Sequence, residues 1–190
     1  MTRRLIVGIS GASGAIYGIR LLEALRAANV ETHLVISRTA QVTIAHETSY
    51  ALPAVQALAS VVHAAGDLSA PISSGSFACD GMIIAPCSMR TLAEIALALS
   101  TTLLSRAADV TLKERRRLVL LPRETPLNRA HLQNLLAVTE MGGIMAPPVP
   151  AFYTHPQSVD DIINHTVARA LDLFGIASPH LKRWEGLKSA

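Results

Sequence analysis

Residues 7–18 are VGISGASGAIYG, a segment rich in glycine and serine close to the start of the chain. The pattern predicts a buried strand over 5–10 and an amphipathic helix over 15–28. Four glycines and two serines at such a junction suit either an ordinary tight turn or a place where a phosphate binds the helix N-terminus. The glycines do not follow the G-x-G-x-x-G spacing of dinucleotide-binding sites, and no P-loop lysine is present. This segment alone leaves both alternatives open.

Strands and helices alternate along the rest of the chain. Apolar runs predict further strands at 31–36, 81–86, 117–121 and 144–146. Helical spacing predicts helices at 91–100, 103–114, 128–141 and from 158 onward, with Ser37 as the cap of a helix after the second strand. For 51–71 we expect a short helix at most, and four prolines predict an extended surface segment at 146–156. This alternation predicts a single-domain α/β protein with a doubly wound parallel sheet.

The composition argues against several functional classes. Half of the 190 residues are hydrophobic, but no apolar run has the length of a membrane span or signal peptide. The net charge of +3 is small and aromatic residues do not alternate with the basic ones, so we expect no nucleic-acid platform. Two cysteines fit neither a disulfide framework nor a zinc pattern. We expect a cytoplasmic protein, and a charged fraction of only 16% suggests a surface partly covered in an oligomer.

The carboxyl ends of the predicted strands are followed by polar residues. Ligands of such sheets bind beyond these ends, where the following loops meet. Three of the loops contain Ser13, Ser37 and Ser88, each close to a helix N-terminus that can attract an anion. A fourth strand is followed by Arg123 and Glu124. The convergence of these residues favours the phosphate-binding interpretation of the glycine-rich segment.

Other charged residues are harder to assign. Arg106 and Lys113 are seven residues apart, which is two helical turns, so both can face one way. The arginines at 115–117 are expected to form a solvated basic face. Glu47 is either a surface residue of a short helix or a functional carboxylate. The seven histidines show no metal-binding spacing, and there is no Ser-His-Asp arrangement.

Several segments together resemble one known family, the UbiX-type flavin prenyltransferases. The segments are GISGASGAIYG, SSGSF, PCSMRTLAEIA, RAADVTLKERRRLVLLPRETPL and PPVPAFYTHPQS, in this order between about Arg4 and Arg169. The resemblance implies a flavodoxin-like fold, with a flavin-binding domain at 1–177 and a C-terminal tail at 178–190. It also implies a homo-oligomer, a dodecamer in this family.

The resemblance implies a specific reaction as well. Members transfer a dimethylallyl group from dimethylallyl phosphate to N5 and C6 of reduced FMN, without a metal. The product, prenylated FMN, serves UbiD-type decarboxylases. One departure is visible, at Thr101 and Thr102. The family commonly has an Asn-Leu pair before RAAD, as in D-N-L-x-x-RAAD, whereas residues 100–105 here are STTLLS, so a hydroxyl replaces the amide. It puts the fine substrate preference in question more than the reaction class.

Carried over by motif, the resemblance assigns roles to individual residues. The FMN-binding residues would be Gly11, Ala12, Ser13, Ser37, Ser88, Met89, Arg90, Thr91 and Arg123. The prenyl phosphate would be bound by Tyr153 and Arg169, with Arg106, Lys113 and Glu124 around it. The catalytic residues would be Ser13, Glu47, Glu124 and Lys113, with Glu47 assisting the proton movements.

Two rival functions remain at this point. One is an FMN-dependent decarboxylase of cysteinyl substrates, which should have a catalytic histidine near the first helices. His46 is available for that role, but the later P-x-M-N-x-x-M pattern is absent from the sequence. The other is an FMN-binding electron carrier, which would not need Arg106, Lys113, Tyr153 and Arg169 around a second phosphate.

Overall fold

The computed structural model describes residues 3–184 and 186. Within these residues six strands form one sheet, in the order β3-β2-β1-β4-β5-β6, and every neighbouring pair is parallel. The strands are β1 (Arg4–Ile9), β2 (Glu31–Ile36), β3 (Val61–His63), β4 (Gly81–Cys87), β5 (Arg117–Pro122) and β6 (Ile144–Met145). The prediction of a doubly wound parallel sheet is confirmed.

Helices cover both faces of this sheet. In the described part of the chain they are α1 (Ala15–Ala27), α2 (Arg38–Glu47), α3 (Leu52–Gln56), α4 (Met89–Ala96), α5 (Leu103–Lys113), α6 (Arg129–Glu140) and α7 (Val159–Asp172). Alternate side chains of β1 point to opposite faces. Leu5 and Val7 join a core with α1 and α7, whereas Ile6 joins a second core with α4 and α5. Burial on both faces explains the aliphatic composition of the strands.

The short edge strand β3 is not predicted by the sequence. Val61 and Val62 are 38% and 42% exposed, so β3 has no buried face that periodicity could reveal. Its parallel pairing with β2 holds it in place, together with a 2.9 Å hydrogen bond between His33 Nδ1 and His63 Nε2. Without β3 the strand order becomes 2-1-3-4-5, which is the flavodoxin-like order. The expected flavodoxin-like fold is therefore present, with one strand added at its edge.

Most predicted helix ends lie within two residues of the observed ones. The exception is α4, which ends at Ala96 because Ala98 takes a left-handed φ of 52°. The proline-rich segment at 146–156 contains one 3₁₀ turn, Phe152–Thr154, in place of a fully extended chain. Thr102, part of the departure from the family pattern, caps α5 by accepting the Ser105 N–H at 3.3 Å. Asparagine and threonine are both good caps, so this position keeps the same local role.

The arginines at 115–117 do not form a simple solvated face. Arg116 donates to the backbone oxygens of Gly75 and Phe77 at 2.7 and 2.6 Å. Arg117 donates to the carbonyl oxygen of Leu173 and lies over the Phe174 ring. The prediction is wrong for Arg116, which is half-buried because backbone carbonyl oxygens of another loop accept its hydrogen bonds. Arg115 and Arg117 are exposed, as predicted.

The C-terminal residues are described to Trp184, with Gly186. The tail packs back on the domain: the Tyr153 hydroxyl donates to the Lys182 carbonyl oxygen at 3.2 Å, and the Arg183 guanidinium contacts Asp172 at 2.6 Å. The rest of the predicted tail lies outside the described residues. The boundary at 177 stays a prediction.

Candidate functional site

The carboxyl ends of β1, β2, β4 and β5 lie side by side because these strands are parallel. We call this edge the carboxyl rim. It consists of segments 10–14, 37–39, 87–91 and 122–124, each at the end of one of the four strands. Helices α1 and α2 lie on one face and α4 on the other, so a crevice opens between β1 and β4, where the strand order reverses. The residues predicted to bind FMN all belong to these segments.

Glycines of the first segment are required by close contacts. A Cβ at Gly11 would lie 2.5 Å from the Thr39 side chain, so only glycine lets this loop touch the start of α2. Gly14 has a φ of 100° and is the N-cap of α1, a conformation that favours glycine. A Cβ at Gly18 would lie 2.4 Å from the Ala85 carbonyl oxygen, so α1 packs directly on β4. These contacts account for the turn itself, whatever binds there.

The N-termini of α2 and α4 present unpaired amides at the rim. The Ser37 hydroxyl accepts the Ala40 N–H at 3.1 Å, and the Ser88 hydroxyl accepts the Thr91 N–H at 3.2 Å. Each serine is therefore a helix cap. Among the described residues, no acceptor is found for the amides of Arg38, Thr39, Met89 and Arg90. Such amides at a helix N-terminus are suited to phosphate oxygens.

Glu47 reaches from the end of α2 to the N-terminus of α1. Its Oε2 accepts the Gly14 N–H at 2.7 Å. Burial acts to raise the pKa of Glu47. The pKa is nevertheless lowered overall, because other groups outweigh the effect of burial. These groups are the amides of Gly14 and Ala15, the Ser13 hydroxyl and the charge of Arg123. Glu47 is thus a charged carboxylate at the positive end of α1 and not an isolated surface residue.

Arg123 places a positive charge at the mouth of the crevice. Its backbone N–H donates to the Cys87 carbonyl oxygen at 3.1 Å, which joins the ends of β4 and β5. Burial raises the pKa of Tyr17, and the charge of Arg123 opposes this rise. Because the same charge lowers the pKa of Glu47, the guanidinium lies within electrostatic reach of both side chains.

One cavity adjoins the rim, and a second cavity lies next to the first. One has a volume of about 300 Å³ and is mostly apolar, with Met89 and Glu124 in its wall. The other, also about 300 Å³, is lined by Tyr153 and Arg169. Pro147 belongs to both walls, so the two cavities are neighbours. A small ester fits these two cavities if its apolar chain lies in the first and its anionic end lies near Tyr153 and Arg169 in the second.

Tyr153 and Arg169 already have partners within the chain. Besides its hydroxyl contact with the Lys182 carbonyl, the Tyr153 ring meets the Trp184 ring edge-to-face, with centroids 5.6 Å apart. Arg169 contacts Asp172 at 2.6 Å, and Asp172 also binds Arg183. Both side chains would have to exchange these contacts in order to bind a phosphate.

Lys113 is not brought to the carboxyl rim, and Arg106 is held by partners outside the rim segments. They lie on the same side of α5, as their spacing predicts: Arg106 donates to the Ser73 carbonyl oxygen at 3.1 Å, and Lys113 lies against Gly75. Lys113 ends α5 just before β5 begins, which is the opposite edge of the sheet. Within one chain Lys113 is therefore separated from Arg123 and Glu47.

Sequence reasoning missed two residues of the rim. Thr39 touches Gly11, and Tyr17 lies near Arg123. The position of Thr39, two residues after the helix cap Ser37, is a signal that could have revealed it. Over residues 3–184 and 186 there is no group of three His, Cys, Asp or Glu side chains suited to a metal. None of the helices described is both long and apolar enough to cross a membrane.

Comparison with known proteins agrees with this architecture. A family model described as Flavoprotein matches residues 1–171. The flavin prenyltransferase UbiX of Neisseria meningitidis serogroup B is 60% identical over 187 residues, which cover 98% of this chain and 99% of that protein. A crystal structure of AnUbiX (PadA1) in complex with FMN and dimethylallyl pyrophosphate has a TM-score of 0.97 and 53% identity, over 99% of this chain and all of that one.

A further solved structure is the dodecameric FMN-dependent Ubix-like decarboxylase from Escherichia coli O157:H7. It has a TM-score of 0.94 and 56% identity, covering 96% of this chain and 100% of that chain. The fold and the rim thus define a flavoprotein of the parallel α/β class. More closely, the chain belongs to the UbiX family of flavin prenyltransferases and is an enzyme of the transferase class.

Proposed function

We propose that this enzyme transfers a dimethylallyl group from dimethylallyl phosphate to N5 and C6 of reduced FMN. The observation that carries the proposal is the convergence of unpaired helix amides, Arg123 and Glu47 at one rim, beside two adjoining cavities. One cavity is apolar and the other contains a tyrosine and an arginine. The AnUbiX relative that crystallised with FMN and a dimethylallyl ester supports this assignment.

The rim fits the parts of FMN. The amides at the start of α2 and α4 and the charge of Arg123 suit its phosphate. We propose that Gly11, Ala12, Ser13, Ser37, Ser88, Met89, Arg90, Thr91 and Arg123 hold it. When bound, reduced FMN supplies the electron-rich atoms to which the prenyl carbons are joined.

The chain's own residues then assist departure of the phosphate. The allylic C–O bond breaks, and the Tyr153 hydroxyl and the Arg169 guanidinium donate to the phosphate oxygens as their charge grows. Fixed cations can do the work that a metal ion does in other prenyl transfers, so we propose that no metal is needed. Glu124 lies in the adjoining cavity, next to the reacting chain.

Glu47 and Ser13 are proposed to control the proton. The Ser13 hydroxyl lies close enough to Glu47 to help lower the pKa of its carboxyl group. Joining the prenyl group to N5 would break the C–O bond and release one proton. Joining it to C6 would add a proton to the prenyl double bond and release the C6 proton, so the Glu47 carboxylate or the departing phosphate would accept a proton, return it and accept another. Because its pKa is lowered, Glu47 is ionised at neutral pH and able to accept.

Arg106 and Lys113 are proposed to act on the site of a neighbouring subunit. Lys113 lies at the opposite edge of the sheet in its own chain, and Arg106, two turns earlier on the same side of α5, binds the Ser73 carbonyl oxygen. The dodecameric assembly of the Escherichia coli relative supports a homo-oligomer here, and a dodecamer would bring surfaces of different chains together. Several exposed apolar side chains, such as Leu136 at 59% and Phe152 at 72%, agree with a surface that is covered in the assembly.

We further propose a cytoplasmic location and a UbiD-type decarboxylase as recipient of prenylated FMN. The cysteines, Cys79 and Cys87, are unpaired, as expected in a reducing compartment. The rival decarboxylase of cysteinyl substrates is less well supported, since the P-x-M-N-x-x-M pattern expected of that class is absent from the sequence.

The decisive experiment uses purified protein, reduced FMN and dimethylallyl phosphate under anaerobic conditions. We expect the flavin mass to increase by one five-carbon prenyl unit, with the same yield when EDTA is present. A parallel sample with dimethylallyl diphosphate shows which ester is preferred. An unchanged flavin mass in FMN-loaded protein with either ester would reject the proposal, and activity only without EDTA would reject metal independence.

A further inference from the structure

The segments of the carboxyl rim are tied to one another by a row of hydrogen bonds. The Ser37 N–H donates to the Ile9 carbonyl oxygen at 3.0 Å, and the Arg123 N–H donates to the Cys87 carbonyl oxygen at 3.1 Å. These two links join β1 to β2 and β4 to β5. Both run between backbone atoms, so ordinary substitutions leave them in place.

The link between β1 and β4 is different because a side chain adds to the backbone bond, which runs from the Ser10 N–H to the Pro86 carbonyl oxygen at 3.2 Å. The Ser10 hydroxyl donates to the Pro86 carbonyl oxygen at 2.9 Å and accepts the Ser88 N–H at 2.7 Å. The regular pairing of these strands extends only as far as Gly8 and Ile84. Beyond that point Ser10 is the bridge across the base of the crevice.

A serine is well suited to this place. Pro86 has no N–H to donate, and the pairing of β4 with β5 is irregular between Ile84 and Cys87. The Ser88 amide therefore needs an acceptor, and the Ser10 hydroxyl, in a residue that is 1% exposed, supplies it. Losing that acceptor would leave a buried amide unpaired, which native structures avoid.

The bridge fixes the start of α4. Ser88 is the cap of this helix, so its position sets the direction of the Met89 and Arg90 amides that face the rim. Its distance from β1 also sets the width of the crevice between the two loops. The Ser10 hydroxyl itself is buried beneath these loops and is not one of the groups presented at the rim.

We propose that Ser10 is a positioning residue that holds segments 11–13 and 87–91 at the spacing FMN requires. This inference rests on the proposed function, because it takes FMN as the ligand of the rim. One buried hydroxyl would thus align the two loops. Without it, the only link between them at the end of β1 and β4, among the described residues, would be the Ser10 N–H, which donates to the Pro86 carbonyl oxygen at 3.2 Å.

The test compares Ser10→Ala with Thr32→Val. Thr32 is also 1% exposed, and its hydroxyl also accepts a backbone N–H from another segment, that of Ser60 at 3.1 Å, but it lies near the amino end of β2. We expect Ser10→Ala to raise the FMN dissociation constant about tenfold, the scale of one buried hydrogen bond, and to change the visible circular dichroism of bound FMN. Thr32→Val should lower the melting temperature but leave both FMN readouts unchanged.

Ser10→Cys is the second variant, since a thiol keeps the shape and is a weak acceptor. It should give an intermediate dissociation constant, and it decides the question alone if Ser10→Ala does not fold. Unchanged FMN affinity and dichroism in the Ser10 variants, with only a lower melting temperature, would overturn the positioning role. A wild-type protein that binds no FMN would instead reject the proposed function, and the inference with it.

Discussion

At the scale of single residues, Glu47 links local folding to the proposed chemistry. Two backbone amides at the start of α1 and the Ser13 hydroxyl bind its carboxylate. A helix N-terminus stabilises negative charge, so the low pKa follows from position and not from a special pocket. The group is therefore charged wherever the enzyme works and is held beside the serine that the family resemblance assigns to the reacting centre.

We expect Glu47→Gln to keep FMN bound but to slow prenyl transfer by about 100-fold, a scale typical of a lost general base. Glutamine retains an oxygen that can accept the Gly14 N–H but loses the negative charge. The rate of a single turnover and the FMN dissociation constant, measured on the same sample, check the two parts. Glu140→Gln, a charge removal at the exposed end of α6, is the control and should change neither.

The lowered pKa of Glu47 also predicts how its contributions to stability and to the reaction rate depend on pH. A folded-state pKa below the ordinary value of 4.5 means that Glu47 favours folding above that value and loses this contribution as the pH falls through the lower folded-state pKa. The rate defect of Glu47→Gln should therefore be constant between neutral pH and pH 5. If the variant loses FMN instead, Glu47 is a structural cap and not a catalytic group.

At the scale of elements, the sequence predicts the strands that are buried and the helices that begin at a capping residue. Strands β1, β2, β4 and β5 are buried runs, and α7 begins at Ser158 with a capping box that pairs it with Asp161. Strand β3 could not be predicted because it has only three residues and no buried face. Strand β3 is held by pairing with β2, a contact between segments that are distant in the sequence, so the residues of β3 alone do not reveal it.

The contact between α1 and the sheet gives a prediction about stability. Gly18→Ala would place a methyl group 2.4 Å from the Ala85 carbonyl oxygen, a backbone atom that cannot move away cheaply. We expect a loss of about 1–3 kcal/mol in the free energy of unfolding, as is usual for overpacking. Denaturant titration measures it.

Gly66→Ala is the matched control for that substitution. A Cβ at Gly66 meets nothing within 4 Å, and its backbone is not in the left-handed region. Its unfolding free energy should change by less than about 0.5 kcal/mol. Equal stability of the two variants would show that α1 can shift on the sheet and that the glycine is not required for packing.

At the scale of the whole molecule, part of the candidate site could be predicted from the sequence alone. The loops at the carboxyl rim follow from the rule that parallel strands end together. Glu47, Tyr153 and Arg169 needed the family resemblance, because no local pattern marks them. The position of Lys113 at the opposite edge depends on the direction of α5, and its proposed role at a neighbouring site depends on contacts between chains, which the sequence of one chain does not specify.

This placement leads to a prediction about mixed oligomers. If Lys113 acts on the rim of a neighbouring chain, Lys113→Ala and Glu47→Gln damage groups that two different subunits contribute to one site. Each variant alone should be nearly inactive. Co-expressed in equal amounts with different affinity tags and purified through both, they should recover about a quarter of wild-type activity, since random pairing leaves that fraction of shared sites intact.

The same experiment separates the two possible arrangements. Sites built within one chain would gain nothing from mixing, because every chain carries one of the two defects. The control is a pair of variants from the same rim, Glu47→Gln with Arg123→Ala, whose affected groups lie in one chain within electrostatic reach of each other. This pair should stay inactive when mixed. Recovery in the first mixture only would place Lys113 across a subunit boundary, whereas no recovery in either would return it to a role within its own chain.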